Sequence, residues 1–304
     1  MLTQTVETYL SVRRAVGFKL TSLERYLRNF ACFAANRGDQ HIVAQTAIHW
    51  AGQTDSPEQC ALRLQMVIRL ARFSRMDDPR HEIPPAGVFP RRHRRPTPYI
   101  FSPQELQALF AQAAGLGPPG SLRPYTYRTL LPLLAVTGLR ISEAIALRLS
   151  DHVSGGLVVR ETKFRKSRMV PLHPTGHAAL QHYVDKRRDF ARGDEDHIFI
   201  SGRHHALCAH VVRETFYQLL AEAGITRTNG RARPRLMDLR HTYATTILAA
   251  GPDNRDEVCR HTIALSTAMG HSCIAATFWY LERTPALMND IADACQDRMA
   301  RRQP

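Results

Sequence analysis

The chain has 304 residues, enough for two compact domains with cores of their own. A hydrophobic content of 44% with 22% charged residues fits a globular protein; no apolar run approaches a membrane span, and the start MLTQTVETYL lacks the basic-then-apolar order of a signal peptide, so a cytoplasmic protein is expected. Forty-one Lys and Arg against 27 Asp and Glu leave a net charge of +14. That excess calls for a polyanionic partner, nucleic acid rather than membrane, because no stretch joins a basic face to a Trp/Phe/Leu insertion face.

Residues 1–82 read as a helical domain. In LTSLERYLRNFACFAANRG, Thr21 and Glu24 have capping-box spacing, Gly38 is a stop, and Leu23, Tyr26, Leu27, Phe30, Phe33 and Ala34 form an apolar stripe. A later helix opens at Asp55-Ser56-Pro57, with Leu64, Val67, Ile68 and Ala71 facing a core. Arg69, Arg72 and Arg75 recur every third residue on its other side. A solvated basic face is the plainer reading of that stripe; the overall charge favours a stripe along a DNA backbone. Residues 83–101 change character. Pro84, Pro85, Pro90, Pro96 and Pro98 exclude regular helix, and Arg91, Arg92, Arg94 and Arg95 stand together with no acid between Glu82 and Glu105. This reads as a domain linker that is also a phosphate-binding arm.

Residues 102–304 form the second predicted domain. Ser102-Pro103-Gln104-Glu105 supplies an N-cap, a proline at the first helical position and a glutamate at the third. TLLPLLAVTGLRISEAIALRL is an apolar helix, a break at Gly138 and a second helix. GLVVRETKF and SRMVPL read as two short strands around a basic turn. VVRETFYQLLAEAG is a helix with Phe216, Leu219, Leu220 and Ala223 inward and Gly224 as its stop, and LMDLRHTYATTILAAG is another. The cysteines, Cys32, Cys60, Cys208, Cys259, Cys273 and Cys295, have no paired spacing and read as free thiols. His204, His205, Cys208 and His210 are metal-ligand types, but their spacing fits no finger; a polar turn leading into a helix is the better reading.

Four stretches carry chemistry: TGLRISEAIALRL around Arg140, TKFRKSRMVPL around Lys163, DLRHTYATTIL around Arg240, and MGHSCIAATFWYLERTPALM, where Tyr280 follows His271 by nine positions. In that order they resemble the tyrosine recombinase (phage integrase) family, over about Ser102 to Met288. The resemblance implies a mainly α protein: an N-terminal helical core-binding (SAM-like) domain plus a mixed α+β catalytic domain with a small β-hairpin sheet. It implies strand cleavage and rejoining of double-stranded DNA at specific recombination sites through a 3′-phosphotyrosine. Tyr280 matches the nucleophile, Arg140 and Arg240 the two arginines, His271 the supporting His/Trp position, and Lys163 the general acid on a hairpin, with Lys166 its rival. Glu143 lies where the family carries a structural acid, and His241 reads as a packing residue.

That chemistry suits the residue types. The pentavalent transition state carries extra negative charge, which arginine forks stabilise; a leaving hydroxyl needs a proton, which lysine or histidine supplies. The ester's free energy is conserved, so neither a metal nor another cofactor is expected. Family members clamp the duplex and work as tetramers, so a homo-tetramer on DNA or a hetero-assembly with sister recombinases is implied, in a bacterial, nucleoid-associated setting, without a membrane. The sequence departs from the pattern at Met237, where a histidine is usual: a thioether cannot donate a hydrogen bond to a phosphate oxygen. Arg233 or Arg235 are nearby substitutes. The segment between Gly251 and Gly270 is also longer than usual, and the wording around FWYLERTPALM looks like integrases of bacterial transposons. A recombinase-fold DNA-binding protein with weakened catalysis, and a type IB topoisomerase, are the competing readings.

Overall fold

The computed structural model describes residues 2–18, 20–90, 97–160, 167–193, 195–225, 233–250 and 255–271, and positions 273, 274, 277 and 280. Arg91, Arg92, Arg94, Arg95, Lys163 and Lys166 lie outside the described residues. The chain divides into two compact units, Met1–Arg95 and Pro96–Pro304. Among the described residues there are eleven α-helices and one three-stranded sheet, the mainly helical architecture anticipated from the sequence. None of these helices is long and apolar enough to cross a membrane.

The first unit is four helices, α1 (Leu2–Ala15), α2 (Thr21–Ala35), α3 (Ala44–Ala51) and α4 (Pro57–Ser74). They close on one core that includes Leu10, Leu27, Phe30, Trp50, Leu64 and Leu70. Phe30 meets Trp50 edge-on at 5.3 Å, and the indole N–H donates to Asn29 Oδ1 at 2.8 Å, which lets a large ring be buried without an orphaned donor. α4 starts as its sequence dictates: Ser56 accepts from the Gln59 amide, and Pro57 fills a position that needs no donor. α2 does not. Its N-cap is Leu20 in a left-handed conformation (φ 51°), with no side-chain cap, and Thr21 is already helical. The expected box is one residue out of place, because the N-cap is Leu20 and not Thr21, and Glu24 pairs with Arg14 of α1 and Arg28 of α2.

In the second unit α5 (Pro103–Gln112) begins with the full Ser102–Glu105 capping box. Behind it, α6 (Arg123–Thr137) lies at the centre, packed against α5, α8 (Pro174–Arg188) and α10 (Met237–Ala249). The core runs through Leu109, Tyr127, Leu130, Leu131, Tyr183, Phe199, Phe216 and Leu239. α7 (Ile141–Ala144) is one turn long. Strands β1 (His152–Val153), β2 (Gly156–Val159) and β3 (Arg168–Pro171) pair antiparallel in the order β1-β2-β3. The hairpin between β2 and β3 was legible; the two-residue β1 was not. Register sets Leu157 opposite Val170 and Val159 opposite Arg168, so Arg168 shares the buried face with three apolar side chains. α9 (Ala209–Glu222) ends at Gly224 (φ 68°), with Phe216, Leu219 and Leu220 inward. His204 lies in the polar turn before α9 and Cys208 is the helix N-cap; the ligand atoms of His204, His205, Cys208 and His210 do not gather. α11 (Arg255–Met269) fills most of the long segment before Gly270.

Candidate active site

The geometry of the site begins with a helix end. The last carbonyls of a helix have no partner within it and carry partial negative charge. At the end of α11, Gly270 turns left-handed (φ 64°); its amide donates to Thr267 O at 2.9 Å, and the His271 amide donates to Ser266 O at 3.0 Å. This is a Schellman stop, and it places His271 immediately beyond the helix. The next three carbonyls are taken by arginines from three other elements. Arg168 Nε of β3 donates to Ala268 O (2.7 Å), Arg240 Nη2 of α10 to Met269 O (2.7 Å), and Arg140 Nη2, preceding α7, to Gly270 O at a longer 3.4 Å. Glycine at 270 has a second cause: a Cβ there would stand 2.7 Å from Arg168 Nη1.

A second helix end meets the first through Arg240. α6 stops at Gly138, again left-handed (φ 61°), and the Gly138 carbonyl accepts from Arg240 Nη1. A side chain at 138 would run into the Tyr243 ring, 2.5 Å from its Cδ1. Arg240 is 3% exposed, and burial first, then the nearby Arg140 charge, pull its pKa down to about 10, so it remains cationic at neutral pH.

Three like charges in one interior need an anion, and Glu143 supplies it. One carboxylate oxygen accepts from Arg140 Nη1 (2.8 Å), the other from the Arg140 amide (3.0 Å) and Arg168 Nη2 (2.8 Å). Burial alone would raise the Glu143 pKa, but the hydrogen bonds and charges of Arg168 and Arg140 outweigh it and hold the carboxyl below its usual range. A structural acceptor at 143 was expected; Arg168 as its partner was not. The missed signal was an arginine at an inward position of a strand whose other inward residue is Val170.

His271 is uncharged at neutral pH. Burial, followed by Arg240, Arg140 and Arg168, lowers its pKa to about 4. Its Nδ1 lies 2.7 Å from Thr277 Oγ1, and its ring is nearly parallel to that of Tyr280, with centroids 6.1 Å apart. Tyr280 is 4% exposed and belongs to a small apolar cluster with Ala244, Leu248, Leu265 and Met269. Its hydroxyl lies 3.2 Å from His241 Nδ1. This corrects the packing role read for His241 from sequence: packing alone would leave its ring nitrogens without a stated task, whereas one faces the phenol and the other lies 3.8 Å from Asp238 Oδ1. Asp238 is itself buried and accepts from the Arg235 amide at 2.7 Å.

Of the residues singled out in the sequence, Arg140, Arg240, His271 and Tyr280 are thus brought together. Met237 opens α10 and is 43% exposed. Of the two nearby arginines, Arg235 is held to Asp238, and Arg233 lies over the Tyr217 ring at 4.1 Å. Arg69, Arg72 and Arg75 belong to the other unit, where all three are exposed and have no acidic partner among the described residues.

Comparison with known proteins agrees with this architecture. The model of the phage integrase family matches residues 100–286. The Sinorhizobium fredii protein named "Putative integrase/recombinase y4rB" is 36% identical over 94% of each chain. The tyrosine recombinase XerC of Erythrobacter litoralis is 26% identical over 94% of this chain and 90% of its own. Among solved structures, the Tn1549 transposon integrase in complex with transposon right end DNA is similar with a TM-score of 0.67, 19% identity, and coverage of 98% and 99% of the two chains. A lambda integrase from a tetramer bound to a Holliday junction is similar with a TM-score of 0.64 and 16% identity, over 92% of this chain and 76% of that one. The chain belongs to the phage integrase family, the tyrosine recombinases, enzymes that cut and rejoin DNA strands.

Proposed function

We propose that the chain is a site-specific recombinase of a mobile element, which cleaves a DNA strand by attack of the Tyr280 phenol on a phosphodiester, leaving a 3′-phosphotyrosine and a free 5′-hydroxyl. A second duplex then supplies the hydroxyl that reverses the step. The observation that carries this reading is the convergence of three separate stretches on one turn: Arg140 and Arg240 both donate to Met269–Gly270, His271 follows it, and the Tyr280 ring lies beside His271. Guanidinium groups fixed before the substrate arrives cost no reorganisation when charge develops on the phosphate. Lys163, with Lys166 as its rival, is assigned as donor to the leaving 5′-oxygen by family resemblance. Arg69, Arg72 and Arg75, with Arg91, Arg92, Arg94 and Arg95, are assigned to the DNA backbone. Similarity to the Tn1549 transposon integrase supports the mobile-element role, and similarity to the lambda integrase of a Holliday-junction tetramer supports assembly of several copies, or of this chain with sister recombinases, on paired sites.

The test uses nicked suicide duplexes tiled across the DNA that flanks this reading frame in its host. Wild type is expected to give a covalent protein–DNA adduct, and Tyr280→Phe none. An adduct of undiminished yield from Tyr280→Phe would remove Tyr280 from the nucleophile position. Met237 supports a second reading, a binding protein with weakened catalysis. If it holds, wild type binds without forming an adduct and Met237→His restores one; a missing donor of this kind costs on the order of 100-fold or more.

A further inference from the structure

Beside Tyr280 lies a pair of residues that the proposed reaction does not yet use. We infer that Asp238 and His241 form a carboxylate–imidazole dyad in which His241 is the catalytic base that removes the Tyr280 hydroxyl proton and returns it on rejoining. This rests on the assignment of Tyr280 as nucleophile.

The carboxylate, imidazole and phenol follow one another in space. His241 Nδ1 is 3.2 Å from the Tyr280 hydroxyl, and Nε2 is 3.8 Å from Asp238 Oδ1, an ion-pair distance rather than a hydrogen bond. The carboxylate on that side favours a proton on Nε2, which leaves the Nδ1 lone pair facing the phenol. Asp238 and His241 are three apart on α10 and therefore on one face of it. Asp238 is only 1% exposed, and its carboxylate is set by the Arg235 amide and guanidinium. Among the described residues, the charged and titratable groups around the pair include Arg235, Arg240, His271 and Tyr280 itself. Burial first lowers the His241 pKa to about 4, with Asp238 opposing and Arg235 and Arg240 assisting, so the imidazole is neutral and its lone pair available at neutral pH. A docked phosphodiester brings negative charge to the same place, and that favours the imidazolium when the proton moves.

The step balances. The phenol O–H breaks and an N–H forms at His241 Nδ1. The phenol oxygen bonds to phosphorus as the bond from phosphorus to the 5′-oxygen breaks, and that oxygen takes its proton from the general acid. Met237 explains why such a base matters in this chain, since position 237 holds no group able to exchange a proton.

The test measures adduct formation on the nicked duplex cleaved by wild type, at pH 6.5 and pH 9.5. His241→Gln keeps a polar partner for the hydroxyl but cannot take its proton. It is expected to bind DNA as wild type does and to cleave about 100-fold or more slowly at pH 6.5. The deficit is expected to shrink to within about tenfold at pH 9.5, because a tyrosine hydroxyl ordinarily ionises unaided near pH 10. A substrate with sulfur in place of the 5′-bridging oxygen, whose thiolate leaves without a proton, is expected not to rescue it. Wild-type rates from His241→Gln at pH 6.5, a deficit that does not change with pH, or full rescue by the sulfur substrate would each overturn the inference. If His241→Gln fails to fold, Asp238→Asn reads the same dyad: it retains an oxygen for the Arg235 amide, loses the charge that favours the imidazolium, and is expected to lose about tenfold at pH 6.5 and recover at pH 9.5. Wild-type behaviour from folded Asp238→Asn at both pH values would then count against the dyad. No adduct from wild type or from Met237→His, with DNA binding intact, sinks the nucleophile assignment and this inference with it; an adduct that only Met237→His forms, or one lost in Tyr280→Phe but unaffected in the dyad variants, sinks the inference alone.

Discussion

The two units use arginine in opposite ways. On α4, Arg69, Arg72 and Arg75 are exposed and have no acidic partner among the described residues. In the second unit Arg240 is 3% exposed, the Arg168 side chain is 10% exposed, and both are bound to carbonyls at helix ends. Exposed arginines keep their hydration and rotamer freedom and meet a polyanion through counterion release, which is sensitive to salt and tolerant of position. Buried ones have exchanged water for fixed acceptors, so their positions are set before any phosphate arrives. On the proposed reading, the same residue type would serve DNA affinity in one unit and site geometry in the other.

That contrast predicts a ranking of effects. The largest belongs to Arg240. Arg240→Ala leaves the Gly138 and Met269 carbonyls without their donor, and adduct formation is expected to fall about 100- to 1,000-fold or more. Arg240→Lys is expected to recover little, because one ammonium cannot reproduce a fork spanning two helix ends. Near-normal cleavage by Arg240→Lys would show that charge, not the fork, is what matters.

Next comes Glu143. Glu143→Ala leaves Arg140 and Arg168 facing each other without their anion, and breaking a buried pair costs about 3–5 kcal/mol. A thermal melt should show it, and a loss under about 1 kcal/mol, the usual worth of an exposed pair, would mean that the arginines relax to solvent. The pH dependence has a definite sign. Glu143 titrates below its unfolded value, so its contribution is present above the unfolded carboxylate range and is lost as pH falls through the folded pKa. His271 and His241 titrate near 4, below their unfolded value of 6.5, so the unfolded chain binds more protons between those values and stability rises with pH across that window. Melts from pH 4 to 7 should show that rise, with a shallower slope in His271→Phe.

The smallest effect on chemistry belongs to α4. Replacing Arg69, Arg72 and Arg75 by Gln is expected to leave stability and the cleavage rate at saturating protein unchanged. DNA affinity should fall, and the salt dependence should flatten by roughly 0.9 in log–log slope for each phosphate that is no longer neutralised. An unchanged slope would return the stripe to a merely solvated face.

Much of this was legible in the sequence where one residue type has one physical cause. Ser56-Pro57 and Ser102-Pro103 mark helix starts, Gly138 and Gly224 mark helix ends, and two short valine-bearing runs around a basic turn mark a hairpin. What escaped depends on neighbours distant in the chain. Leu20 accepts a left-handed conformation that local propensity disfavours, and β1 is too short to have a pattern. Arg168 and His241 resembled ordinary neighbours of recognised motifs; their partners, Ala268 and Tyr280, lie 100 and 39 residues away. The one local hint for His241 was an aspartate three residues before it on the same helix.

The most direct measurement of the central claim is tandem mass spectrometry of the adduct after nuclease and protease digestion. The account predicts a single nucleotidyl-phosphotyrosine at Tyr280. The same modification at Tyr243, the half-buried phenol packed over Gly138 on the neighbouring helix, or on any residue other than Tyr280, would contradict it.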